Sequence, residues 1–367
     1  MEPFKNIYNE NFFKRFIAGF KKVYPSFNES SFLNDVYDSH WNERELKQRM
    51  RHISMTLDAH LTNDYASNVK LLVDSIPFLK EQGFQPNNLE FIIYPDYLEV
   101  FGLDHYATSI SAMETITQFV SCEFGIRPFI IKYESEMAKQ MYRWTFHESE
   151  HVRRLASEGV RPRLPWAMGI ESFKKDPIIV FSILDNLKDD ESEYVRRSVA
   201  NNWNDISKDH PRRVIEMAKE WLGFSKERDK LVKHACRTLL KQGDKEIMSL
   251  FGFGNIDQLN VNNFRVKTPT VKVGGILEFD FEVQNTSLSD TLLRLEYGVY
   301  YQKANGSLSR KVYKISEKKY GSMSSVSVTR KQPFKIITTR KLHLGPHQVS
   351  IIINGIELEK RNFNLIA

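Results

Sequence analysis

Two carboxylates, a tryptophan and several arginines stand out in this chain because their surroundings are awkward for folding alone. Ile116, Phe119, Val120 and Phe124 predict a helix from about Leu103 to Phe124, and Glu123 lies on the same apolar stripe, seven residues after Ile116. A carboxylate there faces inward and sits just before Gly125 and Pro128, at a helix C-terminus whose dipole disfavours negative charge. Local conflicts of this kind concentrate at functional sites. The structural alternative is a stripe-edge Glu paired with Arg127 or with an arginine of a neighbouring repeat.

Arg161-Pro162-Arg163-Leu164-Pro165-Trp166 is a basic segment stiffened by two prolines and ending in the largest aromatic side chain. Held this way, the guanidiniums suit phosphates and the indole suits an unstacked base or sugar. The alternative is Trp166 as a core plug between repeats. Further on, Val195, Val199, Asn202 and Ile206 mark a buried line, while Arg197, Asn201 and Asp205 follow at i, i+4 and i+8 on a polar line. That face presents a cation, an amide and a carboxylate. The alternative is a hydrated helix end with Asp205 accepting local backbone hydrogen bonds. Walker loops, dinucleotide fingerprints, nucleophile elbows and zinc spacings are absent, and Cys122 and Cys236 read as core thiols.

Helices must position these groups. Apolar residues recur at three and four from residue 1 to about 254, although the first hundred residues carry no recognisable chemistry. Glu148-Ser149-Glu150-His151-Val152-Arg153-Arg154 returns 43 residues later as Glu191-Ser192-Glu193-Tyr194-Val195-Arg196-Arg197, and a weaker third copy starts at Leu231. This period belongs to stacked helical pairs, and the region is read as HEAT-like. After Gly252-Phe253-Gly254-Asn255 the period becomes two: Leu277, Phe279, Phe281 and Val283 form one run, and Leu293, Leu295, Tyr297, Val299 and Tyr301 another. Asn305-Gly306 predicts a hairpin turn, with further strands near Val326, Ile336, Val349 to Ile353 and Phe363. About seven strands predict an immunoglobulin-type β-sandwich. The expected architecture is therefore multidomain: an all-α HEAT-like solenoid over 1–254, a linker over 255–265, and an all-β immunoglobulin-like sandwich over 266–367.

The 367 residues carry a net charge of +6, but unevenly. Residues 256–367 hold 17 Lys and Arg against 9 Asp and Glu, a balance of +8, and the preceding 255 residues hold 35 against 37, a balance of −2. The excess suits a polyanion or a solubilising surface. Mean hydropathy is −0.43 and no apolar run reaches the ~18 residues of a membrane span. With no secretory pattern and only two cysteines, the chain is expected in the cytoplasm.

The segments ESEHVRRLASEGVRPRLPW and ESEYVRRSVANNWNDISKDHP, followed by PRRVIEMAKEWL, resemble the AlkC-type alkylation-repair DNA glycosylases, within the wider HEAT-like family that includes AlkD. The resemblance covers residues 100–250 best, and the appended immunoglobulin-like domain matches the longer architecture of some AlkC proteins. It implies hydrolysis of the N-glycosidic bond of cationic N-alkylated bases, 3-methyladenine and 3-methylcytosine, in duplex DNA. The family's catalytic acidic pair and aromatic residue correspond to Glu123, Asp205 and Trp166.

A methylated ring nitrogen already makes the base a good leaving group. What remains is to stabilise an oxocarbenium ion on deoxyribose, a task for carboxylates, with cation–π attraction from the tryptophan. Arg153, Arg154, Arg161, Arg163, Arg197, Asn201 and Lys208 are expected to contact the DNA, with the basic C-terminal domain gripping the duplex from another side. No lysine stands out as a Schiff-base nucleophile, so a monofunctional enzyme is expected, acting as a monomer without metal or cofactor. The competing reading is a non-enzymatic HEAT-like scaffold that binds nucleic acid or protein, which would have no use for Glu123 and Asp205. A third reading is an RNA-directed binder, indifferent to base methylation.

Overall fold

Side chains that cap backbone N–H groups set where several of the helices begin. Asn9, Asn28 and Asp64 accept N–H groups at the starts of α1 (Glu10–Phe20), α2 (Glu29–Val36) and α4 (Tyr65–Glu81); α3 (Leu46–Ala59) lies between the last two. The computed structural model describes residues 3–61, 63–336 and 341–367. α1 buries Phe12, Phe13, Phe16 and Phe20 in an aromatic core with Phe32, Phe84 and Phe91. α5 (Ile93–Phe101), α6 (Tyr106–Ile116) and α7 (Arg127–Lys132) follow.

The repeat reading is visible in α8 (Glu134–Trp144) with α9 (Glu150–Gly159), and, after α10 (Glu171–Lys175), in α11 (Ile178–Leu187) with α12 (Glu193–Ile206). Then come α13 (Pro211–Trp221) and α14 (Lys226–Ala235). α12 packs between α9 and α14, so the weak third copy is a structural repeat. Val152, Leu155, Ala156, Val195, Val199, Leu231 and Val232 fill these seams. Two buried polar bonds fix the register of the first seam: Ser157 Oγ to Ser198 Oγ at 2.6 Å, and Asn202 Nδ2 to the Ser157 carbonyl at 2.9 Å.

The paired arginines of each copy divide their work. Arg153 donates back to the carbonyls of His147 and Glu148, and Arg196, 43 residues later, donates to those of Asp190 and Glu191. Each clips the loop before its own helix. Arg153 also forks onto Asp190 at 2.7 and 3.0 Å, joining one repeat to the next. The second arginines, Arg154 and Arg197, are left for the other face of the helix.

The short helices α15 (Arg237–Gln242) and α16 (Lys245–Leu250) precede a β-sandwich. β1 (Leu259–Val266), β3 (Ile276–Asn285) and β6 (Ser325–Pro333) form one sheet. The other sheet runs in the order β2 (Thr270–Lys272), β8 (Ile356–Ile366), β7 (Gly345–Ile353), β4 (Thr291–Gln302), β5 (Leu308–Tyr320). Leu277, Phe279, Phe281 and Val283 face Leu293, Leu295, Tyr297, Val299, Val349 and Ile351 across the core, as the alternation predicts. The expected hairpin joins β4 to β5, with Gly306 at φ 78°.

Two expectations need correction. The segment 255–265 is not a linker, because β1 pairs with β3 from Leu259 onward. Ile336 lies outside any strand and is exposed. The compact units also divide inside the helical region: residues up to 210 with 221–235 form one, and 211–220 with 236–367 the other.

Candidate active site

Glu123 does not sit on a long helix. α6 stops at Ile116, and residues 117–126 turn, because Thr117 Oγ1 accepts the Cys122 N–H at 3.4 Å and the Asn87 N–H takes the Phe119 carbonyl at 2.7 Å. Gly125 lets this turn lie against α5: a Cβ there would be 2.3 Å from the Pro95 carbonyl oxygen. The Glu123 side chain is therefore aimed by a turn wedged between α6 and α7. Its Oε2 accepts from Ser121 Oγ at 2.8 Å and pairs with Arg154 Nη1 at 2.7 Å. Among the described residues Oε1 has no partner. Of the two structural partners anticipated for Glu123, Arg127 makes no such pair and an arginine of the neighbouring repeat, Arg154, does.

From Glu123 a file of alternating charges runs through the repeats. Arg154 also reaches Glu158 at 3.7 Å, Glu158 pairs with Arg161 at 2.5 Å, Arg161 with Asp205 Oδ2 at 2.8 Å, and Lys208 with Asp205 Oδ1 at 2.9 Å. Glu158, Arg161 and Asp205 are 4%, 6% and 1% exposed, so each needs the opposite charge beside it. Burial works against the charge on Arg154, yet Glu123 and Glu158 outweigh it and raise its pKa. Arg127 goes the other way: burial, then the Arg161 charge, pull it down to about 10 against Asp205, Glu123 and Glu158. It donates to the carbonyls of Gly159 and Met168, fixing the loop that carries Trp166. Burial, followed by the Glu123 charge, pushes the Cys122 thiol up, which makes it a poor nucleophile.

Trp166 is no core plug. It is 58% exposed, while Trp41, Trp144, Trp203 and Trp221 are all buried. Its backbone has φ 65°, the left-handed region, which costs a non-glycine residue about 1–3 kcal/mol and which surrounding structure must impose. With Phe124, Glu123, Arg154, Pro165 and Tyr194 it borders a hollow of about 390 Å³, in the size range of small-ligand sites. The Arg154 guanidinium lies 4.6 Å from the centre of the Tyr194 ring, so one cation is shared between a carboxylate and an aromatic face.

The structure thus brings Glu123 and Trp166 to one hollow. Asp205 is joined to them through the ion-pair file but is buried, with both oxygens engaged, rather than lying open on a polar helix face. Three of the arginines expected to meet phosphates are engaged within the protein. Arg153 is committed to carbonyls and Asp190, Arg154 to Glu123, and Arg161 to Glu158 and Asp205. Arg163 forks onto Asp209. Arg197, with its side chain 65% exposed and an i,i+4 partner in Glu193, remains open to solvent, and Lys208 is 41% exposed. Asn201 Oδ1 lies 2.9 Å from His234 Nε2, beside a polar groove between α12 and α14 lined by Arg196, Arg197 and Lys230.

Sequence reasoning passed over Glu158 and Tyr194. Glu158 had a signal, four residues after Arg154 and three before Arg161. Tyr194 had only its place in the second repeat copy. Among the described residues no group of three or more His, Cys, Asp or Glu is arranged to hold a metal ion. Among the described residues no helix is long and apolar enough to cross a membrane.

Residues 260–367 match the family described as "Uncharacterised protein YhaZ, C-terminal Ig-like domain". Over 365 residues, the full length of both chains, the protein is 40% identical to the uncharacterized protein YhaZ of Bacillus subtilis (strain 168). It also superposes at a TM-score of 0.93, with 33% identity and full coverage of both chains, on the Pseudomonas fluorescens alkylpurine DNA glycosylase AlkC, solved bound to DNA containing an abasic site analog.

The ion-pair file makes a stability prediction. Arg161→Met removes the near partner of Glu158 and one of the two partners of buried Asp205 and should destabilise the fold by about 3 kcal/mol, whereas Arg197→Ala on the surface should change it by less than about 0.5 kcal/mol. Urea titration followed by circular dichroism measures both; equal midpoints would mean that the file carries no strain of charge.

Proposed function

Since the chain belongs to one family with YhaZ of Bacillus subtilis and the alkylpurine DNA glycosylase AlkC of Pseudomonas fluorescens, we propose that it is a monofunctional DNA glycosylase removing cationic N-alkylated bases, 3-methyladenine and 3-methylcytosine, from duplex DNA. The observation that carries this reading is the open Oε1 of Glu123 beside the exposed indole of Trp166, at the end of a file of charges that fixes the carboxylate.

The step needs little from the protein. The C1′–N bond breaks with its electron pair going to the base, which leaves neutral, and deoxyribose becomes an oxocarbenium ion. Glu123 stabilises that charge and accepts the proton of the water that adds to C1′, giving an abasic site. Trp166 packs on the departing nucleotide, where a cationic base gains cation–π attraction. Arg154 holds the Glu123 carboxylate in place through their 2.7 Å contact. Asp205 Oδ1 is paired with Lys208, a half-exposed cation; a DNA phosphate that draws Lys208 away frees that oxygen of the second carboxylate.

Arg197, Arg163, Lys208 and Asn201 serve the backbone, and the C-terminal domain adds its basic surface. There, edge strand β5 exposes Lys311, Lys318 and Lys319. The protein acts as a monomer in the cytoplasm, with no cofactor in the reaction.

Release of methylated base from methylated duplex DNA, under single turnover, is the test. Glu123→Gln and Asp205→Asn should each slow release at least about a hundredfold while duplex binding persists. Wild-type rates in both variants would favour the scaffold reading instead. For the C-terminal domain, replacing Lys311, Lys318 and Lys319 together with Ala should make the log–log salt slope of duplex affinity shallower by about 1–3, at ~0.9 per lost phosphate contact. An unchanged slope would remove β5 from the DNA interface.

A further inference from the structure

Trp166 has a left-handed backbone, is mostly exposed, and has open space on both sides. One side is the hollow that holds Glu123; the other is a second hollow bordered by Lys47, Arg51, Glu99, Phe124 and Met168. Packing alone does not lock such a residue. Two tethers do, and both come from the first fifty residues of the chain. Lys47 Nζ, on α3, donates to the Trp166 carbonyl, and the Phe4 ring meets the indole edge-on with centroids 6.3 Å apart. The same Lys47 ammonium lies 5.3 Å from the centre of the Phe124 ring, so it touches both walls of the Glu123 hollow.

The platform behind these tethers is itself fixed. The 3₁₀ turn Phe4–Ile7 is bound to the α3 region by Lys5 Nζ to Glu45 at 3.0 Å and by Arg49 Nη1 to the Lys5 carbonyl at 3.0 Å. Arg49 is 5% exposed and lies over the Trp41 ring at 4.4 Å. One helix therefore supplies Lys47 directly and holds Phe4 indirectly.

We propose that Lys47 is a positioning residue of the active site: bound to the Trp166 carbonyl and set over Phe124, it holds the indole in the orientation in which it meets the damaged nucleotide. The proposal rests on the glycosylase reading of Trp166, and it gives the N-terminal helices a part in that site. Lys47 is exposed, so its replacement leaves the core intact.

The protein's five tryptophans allow a direct readout: in 5-fluorotryptophan-labelled full-length protein, ¹⁹F NMR gives one resonance per indole, and Trp166→Phe identifies that of Trp166. In Lys47→Met the Trp166 resonance should shift or split while the four buried tryptophans keep theirs, and base release should slow about ten- to a hundredfold. Lys47→Arg, which preserves the donor, should restore both. An unmoved Trp166 resonance in Lys47→Met overturns the holding role, whatever the rate does. A moved resonance with release at the wild-type rate overturns instead the part given to Trp166 in the chemistry, so the two failures are told apart.

Discussion

Three carboxylates with little access to water cannot share one stack of helices unless cations stand between them. Glu123, Glu158 and Asp205 meet that condition through Arg154, Arg161 and Lys208, in a file whose contacts run from 2.5 to 3.7 Å. Each member is held by neighbours of opposite sign, and removing one leaves a charge that the interior cannot solvate. The helices α9 and α12 carry Arg154, Glu158 and Asp205, and their buried Ser157, Ser198 and Asn202 bonds fix the spacing on which the file depends. The repeat architecture therefore does more than stack: it delivers a rigid line of charge whose last carboxylate, Glu123, keeps one oxygen without a partner among the described residues.

Trp166 complements that line by being poorly held within its own segment. The prolines at 162 and 165 stiffen the approach, but the left-handed backbone at residue 166 is imposed by contacts from elsewhere. Arg127 grips the carbonyls of Gly159 and Met168 on either side of the loop, and Lys47 takes the carbonyl of Trp166 itself. A rigid carboxylate and an externally braced indole thus meet at one hollow. This is the preorganisation that charge stabilisation requires, since donors and charges that need not move lose nothing when the sugar becomes positive.

Much of the fold could be read from the sequence because periodicity reports burial directly. The alternation in β3 and β4, the turn at Gly306 and the 43-residue repeat all appear as expected, and even the faint third copy became α14 packed on α12. Side-chain partnership was far less legible. Arg153 and Arg154 are adjacent and look alike, yet one clips its own loop and the other faces Glu123, a difference set by a helical turn of 100° per residue and by what lies opposite. The helix expected to reach Phe124 ended at Ile116 because Thr117 and Asn87 captured groups that the helix would have used, contacts that no local pattern encodes. Lys47 could not have been found at all, since its partner lies 119 residues away.

The central claim is that the fixed charge of Glu123 stabilises a positive deoxyribose. The most direct measurement compares affinities for two duplexes, one carrying a protonated pyrrolidine in place of the sugar and the other a neutral tetrahydrofuran. The wild-type protein should bind the cationic duplex at least about tenfold more tightly, and Glu123→Gln should abolish the difference while binding the neutral duplex as before. Equal affinity of the wild-type protein for the two duplexes, or a preference that survives Glu123→Gln, would contradict the account.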